Sequence, residues 1–472
     1  MKKLLILILF WTNFVHATNY YVSNSGNNSN AGTSAGAAWL TLSKVVSSFG
    51  SINSGDSVLL ERDGTFYISS SILLTKSGIK FGAYGTGAKP VITTLTTVTG
   101  WTLVSTGLYK ASVTCPNDLR YVTIDGQPVE WGRTPNKNNG TSSYYYSSSY
   151  SNGSPKTITL SGLPAGIDRT GHRFALKGQT WAMGIARVTA QSGNTLTYVP
   201  GAENLLGFSP TFRYPSRSGT GICFVGNIED CDQYGEWAYD STNHYLYMYF
   251  GSVVPSTKIV KAATVDKVFD LVGFNNISIE SIDIEGANKA AAFGKNGSGS
   301  LSFKKIRFNG SGGKGVLLSN CDNVTVEDDT AVNVYGISFR LPTNATDNCS
   351  IKRNYIVDNG PFETMHYLGD DQDGSAVVVG MNNTDILYNT IKRSHYHALW
   401  VTGSNVLVQY NYFSRHGMFN NDCGGIYSFA LAGSGSITTY TNRVAMNNRI
   451  DSGMAWVYGY SSLQSAEVKG IY

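Results

Sequence analysis

Charged side chains are scarce in this chain. They make up 14% of its 472 residues, whereas about 25% is usual in soluble globular proteins. The formal net charge is +4, and lysine and arginine form no block, which argues against a nucleic-acid partner. After the first residues, no segment is long and apolar enough to span a membrane. A neutral surface with 29 tyrosines favours a carbohydrate ligand.

Several sequence motifs are also absent. No cysteine and histidine spacing is typical of a zinc site, and the nucleophile, phosphate-binding and dinucleotide motifs of other enzyme classes are missing. The chain has six cysteines, which are compatible with disulfides in an exported protein. Cys223 and Cys231, in a turn-rich stretch, are the pair we expect. Cys349 is expected to be a small buried apolar residue.

The N-terminus has the pattern of a signal peptide. Lys2 and Lys3 precede the apolar run 4–11, and small residues follow at the usual cleavage positions up to Ala17. We expect cleavage after Ala17, so that residues 1–17 are removed. The mature protein is then secreted, periplasmic or on the cell surface.

One phrase recurs near the C-terminus, after alternating apolar and polar residues. Its four copies are Asn354-Tyr355-Ile356, Asn389-Thr390-Ile391, Asn411-Tyr412-Phe413 and Asn448-Arg449-Ile450. The period is close to 22 residues where nothing is inserted, as from 389 to 411. A strand-turn-strand unit of this length must stack on its neighbours to bury its apolar face. With almost no helical periodicity, the pattern predicts an all-β right-handed parallel β-helix, with matching residues about 4.8 Å apart along its axis.

The rhythm of the coils divides the chain. Residues 18–114 are predicted to hold an N-terminal cap and the first coils, with a capping helix over Thr41–Phe49 and a first strand at Gly55–Leu60. Residues 115–260 break the rhythm and are rich in tryptophan and tyrosine. We interpret them as an inserted β-rich module, although irregular coils would also account for them. Regular coils are predicted again over 261–472.

Three stretches resemble one known group of proteins. They are Tyr21-Val22-Ser23 with Trp39-Leu40-Thr41-Leu42, Gly235-Glu236-Trp237-Ala238-Tyr239-Asp240, and Gly424-Gly425-Ile426-Tyr427. They are similar to segments of exported β-helix carbohydrate-active proteins of the pectate-lyase-like superfamily, in particular β-helix glycoside hydrolases of the fucosidase/xylanase and xylosidase kind. Asn28 and Ala38 depart from that pattern at structural positions. The resemblance implies the architecture, but no particular reaction.

The last residues repeat an earlier phrase. Gly470-Ile471-Tyr472 matches Gly425-Ile426-Tyr427, and the chain then stops. In the resembling proteins this phrase is often followed by acidic residues and further coils. We therefore expect the chain to be truncated at its C-terminus, since an uncovered strand edge invites association.

Two carboxylates and an imidazole are predicted to share one edge of the coils. Aligning the second apolar strands places three residues in one column: Val377, Leu399 and Ile426. Four residues upstream, the same alignment stacks Asp373, His395 and Asp422. The aspartates lie two coils apart, roughly 9–10 Å between backbones, which favours the carboxylate separation of an inverting glycosidase. We predict Asp373 and Asp422 as the acid/base pair, with His395 or His397 tuning one of them or holding a sugar hydroxyl. The alternative is that both aspartates cap turns.

Other polar and aromatic residues of the same stretch are candidates for binding substrate. We predict this role for five residues: His366, Tyr396, His397, Arg415 and Tyr427. Asp370 and Asp371 form an acidic cluster with Asp373, and oxygen ligands at such spacing can hold Ca²⁺. The alternative is a solvated acidic loop.

The sequence therefore predicts an exported enzyme that cleaves a polysaccharide or oligosaccharide. A hydrolase using two carboxylates requires no cofactor. Two alternatives stay open: a polysaccharide lyase assisted by Ca²⁺ or by arginine and lysine, and a non-catalytic glycan-binding or adhesin protein on the same scaffold.

Overall fold

Three parallel sheets and a group of antiparallel sheets make up the fold. The structure, a computed structural model, describes residues 17–137, 143–179, 181–200, 219–295, 298–341, 348–366, 372–420, 422–428, 441–453 and 468–471. The signal-peptide prediction for residues 1–17 falls almost entirely outside this part of the chain. None of the helices in the described part is long and apolar enough to cross a bilayer.

Each coil contributes one strand to each parallel sheet in turn. Sheet one contains Asn19–Val22, Ser57–Glu61, Lys80–Tyr84, Ile277–Glu280, Gly299–Lys304, Asp322–Glu327, Cys349–Lys352, Thr384–Leu387, Val406–Gln409 and Arg443–Met446. Sheet two contains Thr65–Tyr67, Val91–Thr93, Asp283–Glu285, Arg307–Ser311, Thr330–Val334, Tyr355–Asn359, Thr390–Ser394, Tyr412–Ser414 and Arg449–Asp451. Sheet three contains Ile72–Leu73, Lys267–Asp270, Ala290–Lys295, Lys314–Ser319, Phe339–Leu341, Val377–Val379, Leu399–Val401, Cys423–Tyr427 and Val468–Ile471. The predicted right-handed parallel β-helix is confirmed.

The core consists of apolar columns that run along the axis. In sheet one the register aligns Phe303, Val326, Ile351, Ile386 and Val408, all of which are buried. Alternate residues of each strand point inward because successive side chains of a strand face opposite sides. A coil too short to form its own core is thus stabilised by the coils before and after it.

A short cap covers the first coil. The helix Leu42–Ser47 lies within the predicted segment, and the Thr41 hydroxyl accepts a hydrogen bond from the Lys44 N–H at 3.2 Å. Ala35–Ala37 forms a 3₁₀ turn. The strand predicted as the first is the second, because Asn19–Val22 pairs with Ser57–Glu61 in parallel.

Antiparallel sheets occupy the chain between Leu95 and Ala263, a range that includes the segment 115–260. One sheet contains Leu95–Thr97, Val122–Ile124, Gln127–Pro128 and Val260–Ala263. A second contains Arg133–Thr134, Tyr145–Ser151, Lys156–Ser161, Arg173–Gln179, Ala182–Ser192, Thr195–Pro200 and Gly221–Val225. A third contains Thr102–Ser105, Leu108–Ser112, Trp237–Asp240 and Tyr245–Tyr249. Short 3₁₀ turns lie at Ile228–Asp230 and Pro255–Thr257. We refer to residues 95–263 as the module.

A buried column of asparagine side chains explains the repeated phrase. Asn354, Asn389, Asn411 and Asn448 stack in successive coils, and Nδ2 of each of the first three donates to Oδ1 of the next at 2.9–3.0 Å. Each also donates to a backbone carbonyl of the preceding coil, such as Asn389 to Ile351 at 2.9 Å. The column satisfies the backbone groups of the corner between sheets one and two, which would otherwise be buried without partners.

The cysteine predictions have different outcomes. Cys349 lies in the core and is buried, as predicted. The predicted Cys223–Cys231 disulfide is wrong, because both thiols are free and buried. Cys223 faces the centre of the module, whereas Cys231 follows a 3₁₀ turn and packs with Leu108 and Ala238. Spacing along a turn-rich stretch does not determine which way the two side chains face.

Candidate functional site

Three long connections leave the coils at one corner, between sheets two and three. The module is inserted there between Val91–Thr93 and Lys267–Asp270. The stretches 360–376 and 415–422 join sheet two to sheet three in later coils. Loops beside a rigid stack of strands form the walls of binding sites. This corner is therefore the candidate functional site.

The predicted strand register is present at this corner. Val377 pairs with Leu399, and Leu399 pairs with Ile426. The segments carrying Asp373, His395 and Asp422 therefore enter successive strands of sheet three. The functional roles predicted for these residues stay predictions.

Asp373 is held in a buried ion pair. Its Oδ1 lies 2.8 Å from Nζ of Lys314, and both side chains are almost completely buried. Lys314 begins the strand two coils earlier in sheet three. The carboxylate is thus directed toward the preceding coils rather than along the predicted column. Removing either partner would leave the other buried without its counter-charge, which is strongly unfavourable.

His395 stacks on two other rings. Its ring centroid lies 3.6 Å from that of His366 and 4.8 Å from that of Phe419. The ring also packs against Gly374, where φ is +89° and a Cβ would lie 2.9 Å from the His395 Cδ2. The long stretch after sheet two folds His366 back over the coil, which the strand alignment does not take into account.

Both stacked histidines are neutral. Nδ1 of His395 donates to the Gly360 carbonyl at 3.1 Å, and Nδ1 of His366 donates to the Glu363 carbonyl at 2.7 Å. Burial lowers the pKa of His366 to about 3 and lowers the pKa of His395 well below its usual range, with His366 adding to the effect. These rings therefore do not act as cations at neutral pH.

His397 lies in a cluster of aromatic rings on the outer side of sheet three. Its ring centroid is 3.7 Å from Tyr396, 4.0 Å from Tyr427 and 5.0 Å from Trp400. Trp181 of the module packs against the same cluster. Burial, followed by His416, lowers the pKa of His397 well below its usual range.

The hydrogen bonds of His397 fix its tautomer. Nδ1 accepts from the Gly424 N–H at 3.1 Å, so the proton of the neutral ring is on Nε2. This Nε2 is buried and has no hydrogen-bond partner among the described residues. His397 therefore holds an unpaired donor inside a cluster of buried aromatic rings, and an acceptor such as a hydroxyl group would satisfy it.

The other predicted residues are distributed around this corner. Asp422 is half-buried with φ of +54°, and its charge, after burial, contributes to raising the pKa of the Cys423 thiol to about 12. Arg415 is exposed at a coil corner. Asp370 and Asp371 lie outside the described residues. Within the described ranges no group of three or more histidine, cysteine, aspartate or glutamate residues could hold a metal ion.

Comparisons with known proteins agree with this architecture. A family model described as "Right handed beta helix region" matches residues 269–468. A solved structure titled "Glycoside hydrolase" is similar at 13% identity and a TM-score of 0.64, covering 88% of this chain and 86% of that one. The expected resemblance to β-helix carbohydrate-active proteins is confirmed at the level of the fold. The chain is a right-handed parallel β-helix protein.

Two further solved structures are similar to this β-helix protein at lower scores. XylC in complex with xylose has 12% identity and a TM-score of 0.47, covering 87% of this chain and 64% of that one. A lacto-N-biosidase from Eubacterium ramulus has 13% identity and a TM-score of 0.37, covering 92% of this chain and 68% of that one. The comparison with curated protein sequences finds no match.

Sequence reasoning missed a buried charge cluster that joins the module to the coils. Glu363, in the stretch after sheet two, faces Nζ of Lys177 at 3.6 Å and Nη1 of Arg133 at 3.9 Å, both from the module. Lys177 also donates to the Phe419 carbonyl at 2.8 Å and to Oδ1 of Asn420 at 3.0 Å. One lysine thus connects the module to both long stretches that flank the candidate site.

The charge of Glu363 is maintained by this cluster. Burial alone would raise the pKa of Glu363, but Lys177 and Arg133 outweigh burial and hold the pKa below its ordinary value. No spacing in the sequence connects these residues, since they come from three distant parts of the chain. The signal that was available is the length of the stretch 360–376, which exceeds what a coil corner needs.

Proposed function

We propose that this β-helix protein is an exported enzyme that hydrolyses glycosidic bonds in a polysaccharide or oligosaccharide. One observation carries the proposal. The buried Nε2–H of His397, surrounded by Tyr396, Tyr427 and Trp400, lies beside the segments that bear Asp373 and Asp422. Aromatic faces with a few oriented polar groups are typical of sugar sites.

Hydrolysis requires one protonated carboxyl group and one ionised carboxylate. The ion pair with Lys314 favours the ionised form of Asp373, so we assign Asp373 the role of base. Asp422, which is half-buried, is assigned the role of acid. The strands that follow them lie two coils apart, roughly 9–10 Å, and the Asp373 carboxylate is directed toward the preceding coils, so the separation exceeds the roughly 5–5.5 Å of a retaining enzyme.

The remaining predicted residues are assigned to binding. The Nε2–H of His397 donates to a sugar hydroxyl, while Tyr396 and Tyr427 pack against the sugar ring. His366 and Arg415 flank this position in our proposal. The similar solved structure titled "Glycoside hydrolase" supports this reaction class, although its identity to this chain is only 13%.

The test measures products formed from a panel of plant and bacterial polysaccharides. Hydrolysis produces reducing ends without an unsaturated sugar, whereas a lyase produces an unsaturated sugar that absorbs in the ultraviolet. We expect reducing ends alone, and we expect Asp422→Asn and Asp373→Asn each to reduce kcat at least about 100-fold, as loss of an acid or base does.

The matched control is Asp385→Asn. This carboxylate pairs with Lys352 on the surface of sheet one, away from the corner, and its loss should leave activity unchanged. Unsaturated products with sensitivity to a chelator would replace the proposal with the lyase alternative. Full activity in both Asp373→Asn and Asp422→Asn would remove the catalytic assignment.

A further inference from the structure

A pocket lies where the chain leaves the first coils and enters the module. Its volume is about 380 Å³, within the range of about 300–1,000 Å³ that is usual for ligand sites. Its walls come from Thr65–Tyr67 of the coils, from the module strands Leu95–Thr97 and Leu108–Ser112 with the residues next to them, and from Thr264. Junctions between structural units are a preferred location for ligand sites.

The chemistry of the lining is uniform. Seven of the nine lining residues carry a hydroxyl group, and the other two are valines: Tyr67, Ser69, Thr96, Thr97, Val98, Ser112, Val113, Thr114 and Thr264. No charged side chain is among them. Hydroxyl groups both donate and accept hydrogen bonds, and a wall without a cationic side chain offers no opposite charge to a carboxylate or a phosphate. The lining therefore matches a neutral ligand that is itself rich in hydroxyl groups.

Tyr67 gives this pocket a fixed aromatic edge. Its hydroxyl lies 2.8 Å from Oγ1 of Thr96 and 3.2 Å from Oγ1 of Thr264, while about half of the residue stays exposed. Thr264 Oγ1 in turn donates to the Thr94 carbonyl at 3.1 Å. Two hydrogen bonds thus hold an exposed ring in one orientation, so that a ligand packing on it loses little additional entropy.

The pocket is separate from the candidate functional site. Tyr67 belongs to the first complete coil, and the coil that follows contains the module, whereas Val377 begins the sheet-three strand several coils later. At about 4.8 Å per coil, the two sites are roughly 20 Å or more apart along the axis. A short sugar cannot occupy both, but a polysaccharide chain can.

We propose that this pocket binds a neutral saccharide, packed on Tyr67 and hydrogen-bonded by the surrounding threonine and serine hydroxyls. The ligand is either a remote segment of the polymer that the enzyme cleaves or a separate neutral glycan. The proposal concerns binding alone, and it does not depend on which carboxylates are catalytic.

The experiment is affinity electrophoresis of the full chain in gels containing arabinoxylan, galactomannan or a mixed-linkage β-glucan. Polygalacturonate serves as the charged comparison. We expect at least one neutral polymer to retard the wild type. We expect Tyr67→Ala, and Ser112→Trp, which fills the pocket, to weaken that binding at least tenfold, and Tyr67→Phe, which keeps the ring, to weaken it less.

A matched control is Tyr388→Ala, since Tyr388 is equally exposed on the coils but stacks on Tyr410 far from the pocket. The proposal is overturned if no neutral polymer retards the wild type, or if Tyr67→Ala and Ser112→Trp bind as the wild type does. Retardation that is lost in Tyr67→Ala, in a protein that cleaves nothing, would leave this pocket established and only the hydrolase proposal refuted.

Discussion

The buried asparagine column begins with an acid. The N–H of Asp329 donates to Oδ1 of Asn354 at 2.9 Å, and Oδ1 of Asp329 accepts from the Ile306 N–H at 2.7 Å. These are the contacts that the asparagines make with one another. Its Oδ2 is buried and has no hydrogen-bond partner among the described residues.

The position of this Oδ2 requires a donor. In Asn354 the equivalent atom is Nδ2, which donates to the Val326 carbonyl at 2.9 Å and to Oδ1 of Asn389 at 3.0 Å. An ionised Oδ2 in Asp329 can make neither of these donations. Burial raises the pKa of Asp329 well above its ordinary value, although the hydrogen bond from the Ile306 N–H opposes the shift. Asp329 therefore holds its proton in the folded protein.

We predict that Asp329→Asn stabilises the fold, and increasingly so as the pH rises. The unfolded chain releases the proton near pH 4, whereas the folded chain keeps it. The stability of the wild type is therefore greatest below about pH 4 and falls as the pH rises toward the folded-state pKa, by about 1.4 kcal/mol per pH unit. An asparagine supplies the donor at every pH. The stability of Asp329→Asn relative to the wild type therefore grows by the same amount per pH unit, from about pH 4 up to the folded-state pKa.

The assay is urea unfolding of both proteins at several pH values between about 4 and 8, followed by tryptophan fluorescence. Asp328→Asn is the control, because Arg353 donates to this exposed carboxylate at 2.7 and 3.0 Å and lowers its pKa. The small contribution of Asp328 to stability is present above the pKa of the unfolded chain and is lost as the pH falls. This pH dependence is opposite to that of Asp329. A stability difference for Asp329→Asn that does not vary with pH would refute the reasoning.

Three further predictions concern stability and thiol reactivity. Asn389→Ala should lower the free energy of unfolding by about 3 kcal/mol or more, measured with urea, since it leaves several buried groups of the asparagine column without partners. Lys177→Met should lower the free energy of unfolding by about 3–5 kcal/mol in the same assay, because Glu363 stays buried and charged without this partner. The double variant with Glu363→Gln should regain part of that stability. The six cysteines should react with a thiol reagent only after denaturation, since all are free and buried; rapid labelling of the folded protein would contradict this.

The repeated parts of the fold could be predicted from the sequence. The phrase that begins with Asn389 recurs because an asparagine side chain occupies the same corner in successive coils. Its sequence position therefore predicts where it lies in the fold. For the same reason, the alignment of Val377, Leu399 and Ile426 predicts their pairing. Asp329 was missed because the repeat was recognised by its asparagines, and this coil has an aspartate at the same corner position.

The parts of the site that come from long loops could not be predicted. The alignment assumes regular coils, but the residues up to His366 after sheet two fold back and bring its ring onto His395. The ion pair between Glu363 and Lys177 depends on how the module lies against the coils, and no periodicity encodes that contact. The wrong disulfide prediction has the same cause, since side-chain direction in the module follows from its sheets and not from spacing.

The attachment of the module has a consequence for how such proteins diverge. Leu95–Thr97 and Val260–Ala263 pair with each other, so the excursion starts and finishes at neighbouring points and the solenoid can close without it. Related proteins can then carry a different module at this point while the coils keep their shape. Because Lys177 of the module contacts Glu363 and Asn420, however, a different module requires matching changes in the two stretches of the coils that carry these residues.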